Sequence, residues 1–270
     1  MSLAFKLLGY RRRWRLLEAF GRAYVSPTSP IVIGGCGSSG TTLLRAMLDR
    51  HPAITCGPES TVFLRRVSSP ADIGCRYGFR ADEIETWQRC SRSQAEFIDL
   101  FQRACLGRAR KSVWADKTPE NVMRFDFVRS HFPGARLVHV IRDGRDVACS
   151  LRSQPWMKKP KRAGRDTLAY CFDYWVERVS AGQRFRSDPQ YTEVRYEHLV
   201  RDPETTMRAL VSFLRVDWSD DVLRTESDAQ RREAGPIYTT AVGRWRAELG
   251  QAERWRLETS GALASLGYQR

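Results

Sequence analysis

No run in the 270-residue chain approaches the ~20 consecutive apolar residues that a membrane-spanning helix requires, so the sequence holds no transmembrane candidate. The seven cysteines, Cys36, Cys56, Cys75, Cys90, Cys105, Cys149 and Cys171, include no Cys-x-x-Cys pair. An odd count without paired spacing suggests neither a zinc site nor a disulfide framework, and points to a reducing compartment with mostly buried thiols. Histidine is scarce, at four residues, and no His, Cys and carboxylate cluster has ligand spacing, so no metal is expected. Acidic residues are also short: 31 Asp and Glu against 45 Lys and Arg leave a formal charge of +14. Such a surplus calls for an anionic partner, whether nucleic acid, a membrane surface, an acidic peptide or a polyphosphate-like cofactor.

A hydrophobic content of 42% excludes a disordered or fibrous chain, and the length suits one large domain. Residues 1–30 are expected to form a separate basic amphipathic helix, which mixes apolar residues with Lys6, Arg11, Arg12, Arg13, Arg15 and Arg22. Its apolar run precedes the arginines, the reverse of a signal peptide. Such a helix either packs on the domain with its basic face in water or makes peripheral contact with an anionic membrane. Beyond Pro30, Ile31-Val32-Ile33 reads as a buried strand, and Thr41 to Arg50 as a helix carrying Leu43, Leu44, Met47 and Leu48. Further strands are expected at Val113 to Ala115, Arg136 to Ile141 and Thr192 to Tyr196. Helices are expected over much of 60–110, from Pro119 to Phe132, after Asp146 and from Pro203 to Leu214. Strands alternating with helices predict an α/β fold, a central parallel sheet flanked by helices, over residues 31–270.

Ligands of open parallel sheets bind beyond the carboxyl ends of the strands. The segment Gly35-Cys36-Gly37-Ser38-Ser39-Gly40-Thr41-Thr42 leaves the first strand and opens a helix. Small residues let its amides turn inward, and the helix N-terminus adds partial positive charge, which together make an anion cradle. The segment nearly fits the P-loop pattern GxxxxGK[ST], but Thr41 stands where lysine is required, which favours a phosphate-like ligand over ATP. A second element, Arg142-Asp143-Gly144-Arg145, also leaves a strand end, and Ser150 follows Arg142 by eight residues, about one turn into the next helix. A guanidinium and a hydroxyl so placed suit a phosphate monoester.

In combination, these two elements resemble the sulfotransferase family, whose cofactor is 3′-phosphoadenosine 5′-phosphosulfate (PAPS). Val194-Arg195-Tyr196-Glu197-His198-Leu199 and Leu266-Gly267-Tyr268 are similar to further family segments, so the likeness spans about residues 31–268. Within the family, the tyrosylprotein sulfotransferases share most with this chain. The likeness to them rests on Ser39 to Pro52 followed by Cys56-Gly57-Pro58-Glu59, on Ala115-Asp116-Lys117-Thr118-Pro119, and on Arg244-Trp245. The resemblance implies a P-loop-like sulfotransferase fold and a set of roles. Gly37, Ser38, Ser39, Gly40, Thr41 and Thr42, with Arg244, would hold the 5′-phosphosulfate. Arg142 and Ser150 would hold the 3′-phosphate, and Tyr196 would lie near the adenine. Lys117 would stabilise the transferring sulfuryl group, and Glu59 would act as general base.

Three departures matter. Ser38 replaces a usual Lys or Arg facing the sulfuryl group, Gly37 replaces a common proline, and Ala115 replaces a cysteine that relatives pair with the one matching Cys56. That disulfide cannot form here, which, with no anchor, suggests a cytoplasmic, bacterial enzyme. A hydroxyl nucleophile must lose its proton as it attacks. Asp116 is the residual carboxylate rival to Glu59, while His139 reads as a core residue of a strand, His51 as a turn residue, and His131 and His198 as structural. The expected reaction is sulfuryl transfer from PAPS, without a metal, to an acceptor hydroxyl, favoured in a protein tyrosine in an acidic context. The alternatives are a carbohydrate or small-molecule acceptor, or a catalytically weakened PAPS-binding protein, motivated by Ser38. Charge spread along the chain without a recognised motif argues against nucleic acid as partner. A homodimer is compatible with the sequence. The stretch Lys158 to Arg165 either gathers an acidic acceptor or is a solvated loop.

Overall fold

The computed structural model describes residue 14 and residues 24–157, 166–224, 241–259 and 261–268. The expected helix over 1–30 and the basic stretch 158–165 lie, apart from Trp14 and 24–30, outside the described residues. The aliphatic run Ile31-Val32-Ile33 forms β1 (Ile31–Gly35), buried along its whole length. The loop after it enters α1 (Thr41–Asp49), which is followed by β2 (Ile54–Cys56). Three helices then cover the stretch expected to be helical: α2 (Pro70–Tyr77), α3 (Ala81–Cys90) and α4 (Gln94–Ala109). Ser69 caps α2 and Ser93 caps α4 through their hydroxyls. Next come β3 (Val113–Lys117), a 3₁₀ turn (Pro119–Arg124), α5 (Phe125–His131), β4 (Arg136–Ile141) and α6 (Gly144–Arg152). The remaining strand and α-helices among the described residues are α7 (Thr167–Gln183), β5 (Tyr191–Arg195), α8 (Tyr196–Arg201), α9 (Pro203–Leu214), α10 (Trp245–Glu248) and α11 (Gln251–Glu258).

The five strands among the described residues are parallel and run in the order β2-β3-β1-β4-β5. The expected α/β architecture is therefore observed, with one more strand than the sequence signals. β2 is only three residues long and follows Pro52, too short for a period to show. Its register sets Cys56 beside Ala115, so the cysteine position that Ala115 replaces is the direct neighbour of Cys56. All seven cysteines are free; Cys75 and Cys90 are exposed and the other five buried.

Successive side chains of a strand face opposite sides of the sheet. In β1, Val32 joins a core with Phe97, Phe101 and Trp114, whereas Ile31 and Ile33 join one with Leu44, Met47 and Leu210. A third core, around Trp175 and Trp245, packs α6, α7 and the C-terminal helices together. These layers fix where the strands end. The loop 36–40, residues 57–60, Lys117, Arg142 and Tyr196 all follow or close strands at one edge of the sheet.

Candidate functional site

The cradle is built from backbone conformations that few sequences allow. Ser38 has φ of 67° and Gly40 of 91°, both left-handed. At Gly40 a Cβ would stand 2.3 Å from the ring of Tyr196, so the loop needs glycine both for its φ and for its closeness to that ring. Gly40 then caps α1 without any side-chain bond to the helix amides. The amides of Thr41, Thr42 and Leu43 therefore have no intrahelical acceptor, and the first helical bond is Leu44 N to Gly40 O at 3.2 Å. The amide of Ser39 is different: it donates to Cys36 O (3.2 Å), so it braces the loop instead of facing a ligand. The Ser39 hydroxyl is buried and meets no protein partner.

Two residues expected to do the chemistry meet at this mouth. Lys117, the last residue of β3, donates from Nζ to Glu59 Oε1 at 2.8 Å and to Thr42 Oγ1 at 3.4 Å. The lysine side chain is 4% exposed and the glutamate 45%, so the pair has a buried and a solvent side. Parallel pairing of β2 with β3 explains the meeting, because it brings both strand ends to one edge. Glu59 is held from behind by its own backbone: Arg76 Nη1 donates to Glu59 O (2.8 Å), and the Tyr77 hydroxyl donates to Pro58 O (2.5 Å).

Asp116 points the other way along β3. It is fully buried and accepts from the Ser60 hydroxyl and from Asn121 Nδ2 (2.7 Å), while Asn121 also donates to Ile33 O (3.2 Å). Burial pushes its pKa up against these hydrogen bonds. It ties the Glu59 segment to β1 and the 3₁₀ turn, which leaves Glu59 as the carboxylate at the mouth. The histidines are occupied elsewhere. His51 accepts from Ala53 N (3.1 Å) and bonds Asp217 O (2.7 Å), His131 bonds Tyr24 O (2.7 Å), His139 is wholly buried, and His198 is exposed at the surface of α8.

Arg142 leaves β4 and turns toward the cradle, where its Nη1 donates to Ser38 O at 3.0 Å. Its guanidinium lies over the Tyr196 ring at 4.7 Å, and its buried Nε has no protein partner. Tyr196 is thereby placed between Gly40 and Arg142. Ser150 is half-buried in α6, which starts at Gly144 and so places Ser150 nearly two turns along, deeper than one turn. Arg244 precedes α10 and its guanidinium engages Glu248 (2.7 Å); among the described contacts it does not reach the cradle. Asp146, which sequence reasoning passed over, is 1% exposed and 3.8 Å from Arg142; its one signal was its place four residues after that arginine.

The donor set fits an anionic nucleotide. Helix amides without acceptors and a buried hydroxyl lie in the 39–43 segment, Arg142 with its unpartnered Nε is bonded to the adjoining Ser38 O, and Lys117 reaches the same segment through Thr42. Among the described residues no group of three His, Cys, Asp or Glu is arranged to hold a metal.

The sulfotransferase family model matches residues 30–220. Protein-tyrosine sulfotransferase 1 of Danio rerio is 29% identical over 262 residues, which take in 88% of this chain and 72% of that protein. The protein-tyrosine sulfotransferase of Drosophila melanogaster is 29% identical over 265 residues, 88% of this chain but 51% of its own length. In fold, a sulfotransferase domain of the Synechococcus PCC 7002 olefin synthase aligns with a TM-score of 0.68 at 19% identity, over 92% of this chain and 97% of that one. The two sequence relatives are animal proteins, which contradicts the expectation of a bacterial source and leaves a cytoplasmic location without support. That expectation rested on Ala115 and on the lack of an anchor. The register of β2 and β3 shows that Ala115 removes one disulfide; it carries no information about compartment or source.

Proposed function

The chain belongs to the sulfotransferase family, and on that footing we propose that it transfers the sulfuryl group of PAPS to the hydroxyl of a protein tyrosine in an acidic context. PAPS, when bound, supplies an activated sulfuryl group and a phosphate leaving group. The observation that carries the reading is the convergence of Glu59, Lys117 and Thr42 at the mouth of the cradle.

Each residue has a task of its own in this reading. The amides at the start of α1 and the hydroxyls of Thr41 and Thr42 bind the 5′ anion. Arg142, flanked by Tyr196, binds the 3′-phosphate, and its fork geometry selects a phosphate over a point charge. Ser150 assists it from α6. Lys117 holds its positive charge beside Thr42, where negative charge develops on the leaving oxygen, and a low-dielectric position makes that charge count for more. This supports a working site despite Ser38, because the lysine supplies charge from β3 that the loop lacks. Glu59 keeps one carboxylate face toward solvent, from where it takes the proton of an entering phenol. A tyrosine acceptor follows from the activity named for the relatives, and an acidic context from the +14.

Labelled sulfate from PAPS, offered with acidic tyrosine peptides, oligosaccharides and simple alcohols, tests the reading. Label in the peptides alone is the expected result. Label in sugars alone would sink the tyrosine acceptor, and tight binding of adenosine 3′,5′-bisphosphate (PAP) with no transfer would leave a binding protein.

A further inference from the structure

The backbone of residues 241–245 closes against the start of α6 through one side chain. Asp146 accepts from Trp245 N at Oδ1 (3.0 Å) and from Gly243 N at Oδ2 (2.8 Å). Oδ2 also stands 3.8 Å from Nη2 of Arg142, which itself donates to Ala241 O at 2.5 Å. With Nη1 of Arg142 on Ser38 O, the cradle loop, the arginine, the 241–245 strap and Asp146 form a closed circuit. Every strap group in it is backbone, so the circuit depends on the carboxylate and not on the strap's side chains.

We propose that Asp146 is a positioning residue of the donor site, which holds the Arg142 guanidinium and the 241–245 backbone in one arrangement so that phosphate affinity depends on a carboxylate that contacts no phosphate. The inference rests on the reading of Arg142 as a phosphate ligand. By Coulomb's law alone, a carboxylate this close to an anion site repels the ligand. Here its charge is spent on two backbone N–H groups and a guanidinium. Burial raises its pKa on balance, and those same partners oppose the rise. The circuit uses two of the five guanidinium N–H donors and leaves a ligand the others, among them Nε–H, which is buried and without a protein partner. An arginine fixed at both Nη atoms presents that edge in a constant direction, and its ordering entropy is met before binding.

The two views predict opposite signs for Asp146→Asn, which keeps the shape but sets an amide against one strap N–H. Titration calorimetry of the full chain with PAP should show about ten-fold weaker binding, the size of a lost charge-assisted bond. Unchanged or tighter binding in a variant that unfolds at the parent temperature would overturn the inference and leave simple repulsion. In an Arg142→Lys background the same substitution should cost less than in the parent, because the circuit is already broken; equal costs would also overturn it. Should Asp146→Asn fail to fold, hydrogen exchange of the parent decides: PAP should slow the amides of Gly243 and Trp245 and leave those of α4 unchanged, and no slowing defeats the proposal. Failure of the parent to bind PAP would remove the functional reading and this inference with it, whereas parent binding with an unaffected variant removes the inference alone.

Discussion

Glu59 and Lys117 are each asked to do something that their contact opposes. In the proposed reaction Glu59 would take a proton although its Oε1 is bonded to the Lys117 ammonium at 2.8 Å, and Lys117 would face an anion although it is bonded to that carboxylate. The second lysine bond, to Thr42 at 3.4 Å, shows how the conflict resolves, because it already points the ammonium at the cradle. In the proposed reaction Glu59 and a bound 5′ anion would compete for Lys117, and a lysine drawn toward the anion would leave the glutamate to take a proton. Glu59→Gln removes that competitor. Turnover should fall by about 100-fold or more, the usual contribution of a positioned base. PAP affinity should rise at the same time, by up to about five-fold, the ceiling of about 1 kcal/mol for a part-exposed ion pair. Turnover rates and calorimetry on the same preparation separate the two effects. Retained turnover would end the base assignment, and weakened PAP binding would end the competition.

Between residues, the register of β2 and β3 does most to shape the site, and it can be probed without chemistry. Cys56 and Ala115 are paired neighbours in parallel strands and both are buried, within the Cα separation that a disulfide spans. Ala115→Cys should therefore oxidise to a bond with Cys56, seen by peptide mapping under non-reducing conditions. By chain entropy, closing so long a loop stabilises by about 4 kcal/mol, so the melting temperature should rise on oxidation and fall on reduction. A bond from residue 115 to any other cysteine would contradict the register. The same pair of strands marks the limit of what the sequence discloses. Ile31 to Ile33 and Arg136 to Ile141 are legible as strands because their aliphatic runs are bounded by glycine or proline, and the cradle is legible because only small residues and a helix start produce it. Three residues after Pro52 carry no period, so β2 is silent. With β2 silent, nothing local says that Glu59 and Lys117 touch, since contact between strand ends is a property of the sheet. The link from Asp146 to Gly243 and Trp245 is silent for the same reason, as it joins two distant turns through backbone amides.

At the scale of the whole molecule, among the described residues few of the cations behind the +14 are buried, and one buried group that bears on behaviour toward acid is uncharged. His139 lies in β4, fully buried, with Gly182 of α7 packed so close that a Cβ there would stand 2.3 Å from the ring. The Tyr191 hydroxyl donates to Glu193 Oε1 (3.0 Å), so His139 Nδ1 carries the proton and donates to the tyrosine oxygen (2.7 Å). Nε2 is left buried without a protein partner. Charging the ring would place a second N–H where nothing accepts it, and burial pushes the pKa down to about 3, with Arg195 and Arg186 adding to the effect and Glu193 opposing it. The unfolded chain binds a proton here near pH 6.5 and the folded chain does not until about 3. Between those values the unfolded state holds more protons, so the contribution to stability is complete above about 6.5 and is lost as pH falls. Asp116 has the opposite sign, because its raised folded pKa makes the folded chain hold the extra proton just above the unfolded value of 3.8. Between pH 6 and 5, comparing the parent with a variant that lacks the histidine cancels whatever Asp116 contributes. Urea unfolding across this range should show stability falling by up to about 1.4 kcal/mol per pH unit from this one group. His139→Asn keeps a donor toward Tyr191 and cannot titrate, so its curve should be flatter than the parent's by that slope. Parallel curves for the two proteins would mean that the acid sensitivity lies elsewhere.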